Sequence, residues 1–286
     1  VRRGTFGMPS MQNIDFTFMS NRAASRRQAL RTVAGVALMA ALPLSAQARL
    51  ALSTAINRTA RFRALSQRMA KAYAQLFLGV LPDLAREVLT TARQLVHSGF
   101  DELDQHEWPA DVAKLLAEVR TQSGRLEALT ARAPTKELVV QVAVQSDRMM
   151  DAANAATLAL EKLAQGGTAK LVNLAGRQRM LTQRMAKNYN LQAPGLDSKA
   201  ARDLLGADAQ EFKRALDELG KAPISTPAIR TQLDLAQGQW VFFDAAVQRQ
   251  TDKRGLEAVA TTSERLLEVM NRLTDLYEVA LKDVLG

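Results

Sequence analysis

The sequence predicts an all-α protein built as two tandem antiparallel four-helix bundles. Three observations predict it. The first is an internal repeat: NRTARFRALSQRMAKAY at 57–73 returns as NLAGRQRMLTQRMAKNY at 173–189, displaced by 116 residues with no gap. The second is composition, rich in Ala, Leu, Arg, Gln and Glu and poor in Gly and Pro, which favours helix throughout. The third is punctuation: breaks, most of them containing proline or glycine, divide the chain after about residue 50 into stretches of helical period, four in each half.

The first helix is expected over 50–79, with Phe62, Leu65, Met69, Tyr73 and Leu76 spaced for one buried stripe. Leu81-Pro82 ends it, because proline disfavours helix in the residue before it. A second helix covers 83–103. A third, opened by Trp108-Pro109 with proline where its missing N–H costs nothing, reaches 132. After Ala133-Pro134 a fourth runs over 136–165, and Gly166-Gly167 is read as its stop and a hinge. The second half repeats this order over 168–192, 198–219, 226–250 and 255–285. Matches outside the main stretch support the same unit. Asp101-Glu102-Leu103 corresponds to Asp217-Glu218-Leu219, and the segment beginning Ser146-Asp147-Arg148 to that beginning Ser263-Glu264-Arg265, now at 117. Short connections between amphipathic helices of similar length are the pattern of an up-down-up-down bundle. The domains are therefore 49–166 and 167–286, each a four-helix unit.

Residues 1–48 form a separate region. The first 24 have no periodicity and are expected to be disordered. An export signal follows: Arg26-Arg27 in a basic segment, an apolar run over 33–44, and Ala46-Gln47-Ala48 as a small-x-small cleavage site. The paired arginines resemble a twin-arginine signal, with Ala29 in place of the usual Phe; general secretory export is the alternative. The twelve-residue run is short for a membrane anchor. With no cysteine in the chain, export to a bacterial periplasm is the expected location.

Charge and residue types exclude several function classes. The net charge of +9 falls unevenly: residues 1–48 hold six arginines and one acid, leaving 32 basic and 28 acidic residues beyond them. That mild excess, without a basic block or interleaved aromatics, argues against nucleic-acid binding. His97 and His106 lack helical ligand partners and are read as surface residues, so no metal site or haem is expected, and no cofactor. No nucleophile–His pair or glycine-rich phosphate loop is present, so the chain is not read as an enzyme and no catalytic residue is assigned.

The repeat itself carries the functional argument. Ten of its seventeen positions are identical, and six of these are Asn, Gln, Arg or Lys. A duplication kept for packing alone would retain apolar positions instead. On a helix Gly176, Arg179 and Gln183 share one face, and Arg177 and Arg184 form a second basic row. Glycine in mid-helix costs about 1 kcal/mol against alanine, so Gly176 implies close approach of a neighbouring helix or ligand beside Arg179. A guanidinium is planar, permanently charged and offers paired N–H donors, which suits a small planar oxyanion. An anion between two such arginines would relieve their repulsion.

These residues resemble the P-box of bacterial nitrate/nitrite sensors and the related N-terminal domain of type IV pili methyl-accepting chemotaxis transducers. Val172-Asn173-Leu174-Ala175-Gly176 and Arg179-Met180-Leu181-Thr182-Gln183-Arg184 carry the likeness, with Gln178 for a family Leu and Thr182 for Ser. The first copy departs further, with Ala60 for Gly and Ala64 for Met. The resemblance implies a periplasmic four-helix sensor unit in two copies, in which Arg179 and its counterpart Arg63 bind an oxyanion of the nitrate/nitrite class at a two-fold interface. Gly176, Arg177, Gln183 and Arg184 complete the candidate ligand-binding set. The two copies could pair with each other or across a homodimer. Family members usually continue into a membrane helix and a signalling domain, so a membrane-bound sensor or transducer is the expected partner. Two other readings stay open: an adaptor module for pilus or transducer components that binds no ligand, and a structural staple in which the repeated cations pair with acids on neighbouring helices.

Overall fold

The computed structural model describes residues 42–164, 167–224 and 226–285, and every regular element among them is an α-helix. In chain order these are α1 (Leu42–Leu78), α2 (Pro82–Leu103), α3 (Ala110–Thr130), α4 (Lys136–Ala164), α5 (Gly167–Asn190), α6 (Lys199–Gly220), α7 (Pro227–Val247) and α8 (Lys253–Leu285). Helices α1–α4 and α5–α8 make two antiparallel four-helix sets.

Local chemistry explains the boundaries. Pro82 and Pro227 sit in the first turns of α2 and α7, where no intrahelical N–H bond is lost. Ser198, Thr226 and Asp252 cap α6, α7 and α8, accepting from the amides of Ala201, Ile229 and Gly255. The turn after the first helix of each set is built the same way. Gly79 and Leu81 have positive φ, as do Gly195 and Asp197, again 116 residues on.

Several boundaries differ from the sequence reading, among them the start of α1 and the junction between α7 and α8. Helix α1 begins at Leu42 rather than near 50 and runs through Ala46-Gln47-Ala48, because Ser45-Ala46-Gln47-Ala48-Arg49-Leu50 contains no helix breaker and Pro43 falls in the first turn. Helix α7 ends at Val247 and α8 starts at Lys253, so Gly255 lies inside the first turn of α8 rather than opening it. A Cβ on Gly255 would come within 2.1 Å of the Gln250 carbonyl oxygen and 2.4 Å of the Tyr189 hydroxyl, and those two approaches are why glycine stands there. The N-terminal region and the export signal as far as residue 41 lie outside the described residues, as does Gly166. Gly167 is the first residue of α5. No helix among the described residues is long and apolar enough to cross a membrane.

Residues 45–286 form one compact unit. The expected stripe of α1 is buried through Phe62, Leu65, Met69 and Tyr73. Phe62 packs tilted against Phe100 of α2, and Phe212 stacks on Trp240 in the second set, with ring centroids 4.5 Å apart in both pairs. Polar contacts repeat at the sequence offsets too. Tyr73 donates to the carbonyls of Arg132 and Ala133, and Tyr189 to those of Arg249 and Gln250. Gln67 donates to the Ser146 carbonyl and Gln183 to that of Ser263, 3.2 Å in each case.

Candidate functional site

The two repeated helices meet each other. Where α1 passes α5, Ala60 faces Gly176, its counterpart 116 residues on; a Cβ on Gly176 would lie 2.9 Å from that of Ala60. The same point is 3.2 Å from Arg179 Nη2 and 3.6 Å from Arg63 Nη2. The absent side chain thus makes room both for the helix approach and for two guanidinium groups.

Both arginines cross to the opposite repeat. Arg63 Nη2 donates to Asn173 Oδ1 at 2.7 Å and to its carbonyl at 3.3 Å. Arg179 Nη2 donates to Asn57 Oδ1 at 2.8 Å and to its carbonyl at 3.3 Å. Each asparagine then passes the interaction on to an acid. Asn173 donates to Glu161 of α4, and Asn57 to Glu278 of α8, which occupy matching positions at the 117-residue offset. Arg63 Nη1 reaches Asn154 at 2.9 Å, whereas Arg179 Nε has no partner.

The electrostatics are unusual for buried cations. Arg63 and Arg179 are each 1% exposed, and neither forms an ion pair with a carboxylate among the described residues. Burial pushes Arg63 down to about 9, with Arg177 adding to the effect, and pushes Arg179 down to about 9, with Arg61 adding to it. Two unit charges held within about 7 Å repel by on the order of 2 kcal/mol at the effective dielectric of a protein. Only neutral amides and carbonyls touch them directly; the nearest negative charge in each relay lies one asparagine away.

The other candidate residues go elsewhere. Arg177 flanks the pair but binds Glu211 of α6 through Nε. Arg184 makes a two-pronged ion pair with Asp208 of α6, at 2.5 and 2.8 Å. Gln183 turns to α8, where its amide holds the Ser263 carbonyl. Lys187, another repeated position, pairs with Asp147 of α4 at 2.6 Å, and its counterpart Lys71 with Glu264 of α8 at 2.5 Å. The set of six thus separates into a central group, Arg63, Arg179 and Gly176, and residues that tie neighbouring helices together.

Sequence reasoning missed the asparagines. Asn57 and Asn173 are among the ten repeated positions, but an amide has no obvious task until the helix opposite it is known. Asn154 and Glu161 recur as Asn271 and Glu278 at the 117-residue offset, a signal that could have drawn attention to them. Among the described residues no three metal-ligating side chains converge.

An all-helical bundle with a buried arginine crossing is the class of structure these observations define. Residues 164–269 match the family model PilJ, described as the type IV pili methyl-accepting chemotaxis transducer N-terminal domain. The match runs from the end of α4 through α5, α6 and α7 into α8, and so includes Asn173, Gly176 and Arg179. No curated protein and no solved structure matches the chain.

Proposed function

We propose that residues 49–286 form a periplasmic, non-enzymatic sensor-like module, two copies of one four-helix domain, that binds a small oxyanion of the nitrate/nitrite class between Arg63 and Arg179. The observation that carries this reading is the pair of buried guanidiniums with no carboxylate in contact. An anion placed between them would supply the missing counter-charge, and the unpaired Arg179 Nε is a donor ready to receive it. Because the two arginines belong to α1 and α5, occupancy would favour one separation of those helices over another. A ligand that distinguishes two helix arrangements shifts the balance between them, and a membrane transducer is the partner that would read the shift. The family match over 164–269 supports a sensor role in chemotaxis signalling. Export by the N-terminal signal belongs to the same reading; N-terminal sequencing of periplasmic protein that begins well before Arg49 would reject cleavage.

A docking module without a ligand is the second reading, favoured by Leu235, Val241 and Phe242, which leave apolar surface exposed on α7. Calorimetry with nitrate, nitrite and sulfate separates the two. The sensing reading expects saturable binding that Arg63→Met and Arg179→Met each abolish while helicity and melting stay close to those of the parent protein. No heat of binding at millimolar anion, with a transducer fragment captured through α7, would replace it by the docking reading.

A further inference from the structure

A second site lies away from the arginine crossing, where α4, α5 and the start of α6 meet. There a cavity of about 210 Å³ opens between the two helix sets. That is larger than the roughly 150 Å³ that holds a benzene ring in an engineered core. Val140 and Val144 of α4, Leu191 and Leu196 of the turn, and Leu204 of α6 give it apolar walls.

One end is polar, and Asn188 is the residue that demands an explanation. It lines the cavity, is 2% exposed, and its Nδ2 has no hydrogen-bond partner. An unsatisfied buried amide is unfavourable. The chain avoids it at the matching position of the first repeat, where Ala72 is buried without such a group. The apolar wall is not repeated either: Glu257 and Thr261 stand where Val140 and Val144 do. Beside Asn188, Ser198 and Ala201 bring the first turn of the 22-residue helix α6 to the cavity, where backbone N–H groups and the helix dipole favour negative charge. Lys187 also lines this end, its ammonium held by Asp147, whose side chain is half-exposed.

We propose that this cavity binds a small carboxylate with a branched apolar tail. The carboxylate sits against Asn188 Nδ2 and the first turn of α6, and the tail against the valine and leucine walls. Asp147 uses Oδ1 to hold both Lys187 and Gln67, which leaves Oδ2 to receive an ammonium if the ligand is an amino acid rather than a simple acid.

Calorimetry on the full chain with 4-methylpentanoate, leucine and 4-methyl-1-pentanol tests it. One or both acids should bind saturably, and the alcohol roughly tenfold more weakly or worse. A preference for leucine that Asp147→Asn removes identifies the amino acid; equal binding of both acids identifies the simple carboxylate. Asn188→Ala, which installs the residue found at position 72, should weaken binding by roughly tenfold with melting unchanged or raised. Val144→Phe should block the cavity from its half-exposed rim. Absence of saturable binding by either acid at millimolar concentration overturns the proposal, as does binding indifferent to both substitutions. Nitrate binding at Arg63 and Arg179 should not respond to Asn188→Ala, so either site can fail without the other.

Discussion

Arg63 and Arg179 are bound to each other's repeats: Arg63 donates to Asn173 at 2.7 Å, and Arg179 to Asn57 at 2.8 Å. Each asparagine thereby joins an arginine of the opposite repeat to a glutamate, Glu161 or Glu278. Removing an asparagine should therefore cost more than removing an arginine. Asn57→Ala leaves Arg179 Nη2 only the backbone carbonyl at 3.3 Å and takes a donor from Glu278, and should lower stability by about 1–3 kcal/mol. Arg179→Met leaves Asn57 Oδ1 without its donor but relieves like-charge repulsion and removes a buried charge, and because these effects offset, its cost should stay under about 1 kcal/mol. Urea denaturation of the two variants checks the order; a larger loss in Arg179→Met would make the arginine a structural staple.

Gly176→Ala tests the closeness of the crossing. Alanine gains about 1 kcal/mol in helix propensity, but the new methyl would sit 2.9 Å from the Ala60 Cβ, which has no flexible end to swing aside. Separating the helices also stretches both arginine–asparagine bonds, and overpacking of this kind costs about 1–3 kcal/mol. The net effect should be a lower melting temperature, recovered by Ala60→Gly in the same chain. A rise in melting temperature for the single variant would refute the tight contact.

The ion pair of Lys187 with Asp147 is lopsided: the lysine side chain is 2% exposed and the aspartate 44%. Asp147→Asn leaves a buried ammonium without its counter-charge and should cost about 3 kcal/mol at neutral pH. Lys187→Met leaves an aspartate that water can solvate, and should cost less than about 1 kcal/mol. Equal losses in denaturant midpoint would contradict the burial pattern.

Acid should unfold the protein partly through Glu264. Burial pushes its carboxyl up, yet Lys71 and Arg68 together outweigh burial and hold it at about 2, below its ordinary 4.5. A depressed folded value means the stabilisation is complete above pH 4.5 and is lost as the pH falls through about 2. The span corresponds to on the order of 3 kcal/mol. Glu278 and Glu211, also held down, act with the same sign, whereas Asp208, pushed up by burial, opposes them. Glu264→Gln should flatten the acid limb of a stability–pH profile; an unchanged limb would assign acid unfolding to other groups.

The helices and most of their ends were legible in the sequence because their signals are local. A proline such as Pro82 or Pro227 disfavours or permits helix through its own ring and its own missing N–H. The polar identities within the repeat were equally visible, and they marked Arg63 and Arg179 before any partner was known. A 3.6-residue period names a face but cannot name what lies against it. The arginine face could have met acids of its own bundle, a second chain or the other repeat, and only the packing of α1 on α5 put Ala60 against Gly176 and each arginine against the other's asparagine. The same limit separated like from like: Arg177, Arg179 and Arg184 carry one functional group within three turns of one helix, yet Arg177 and Arg184 reach carboxylates on α6 while Arg179 does not. A guanidinium's role depends on the charge and the water within a few ångströms of it, and those are set by helices far away in the chain.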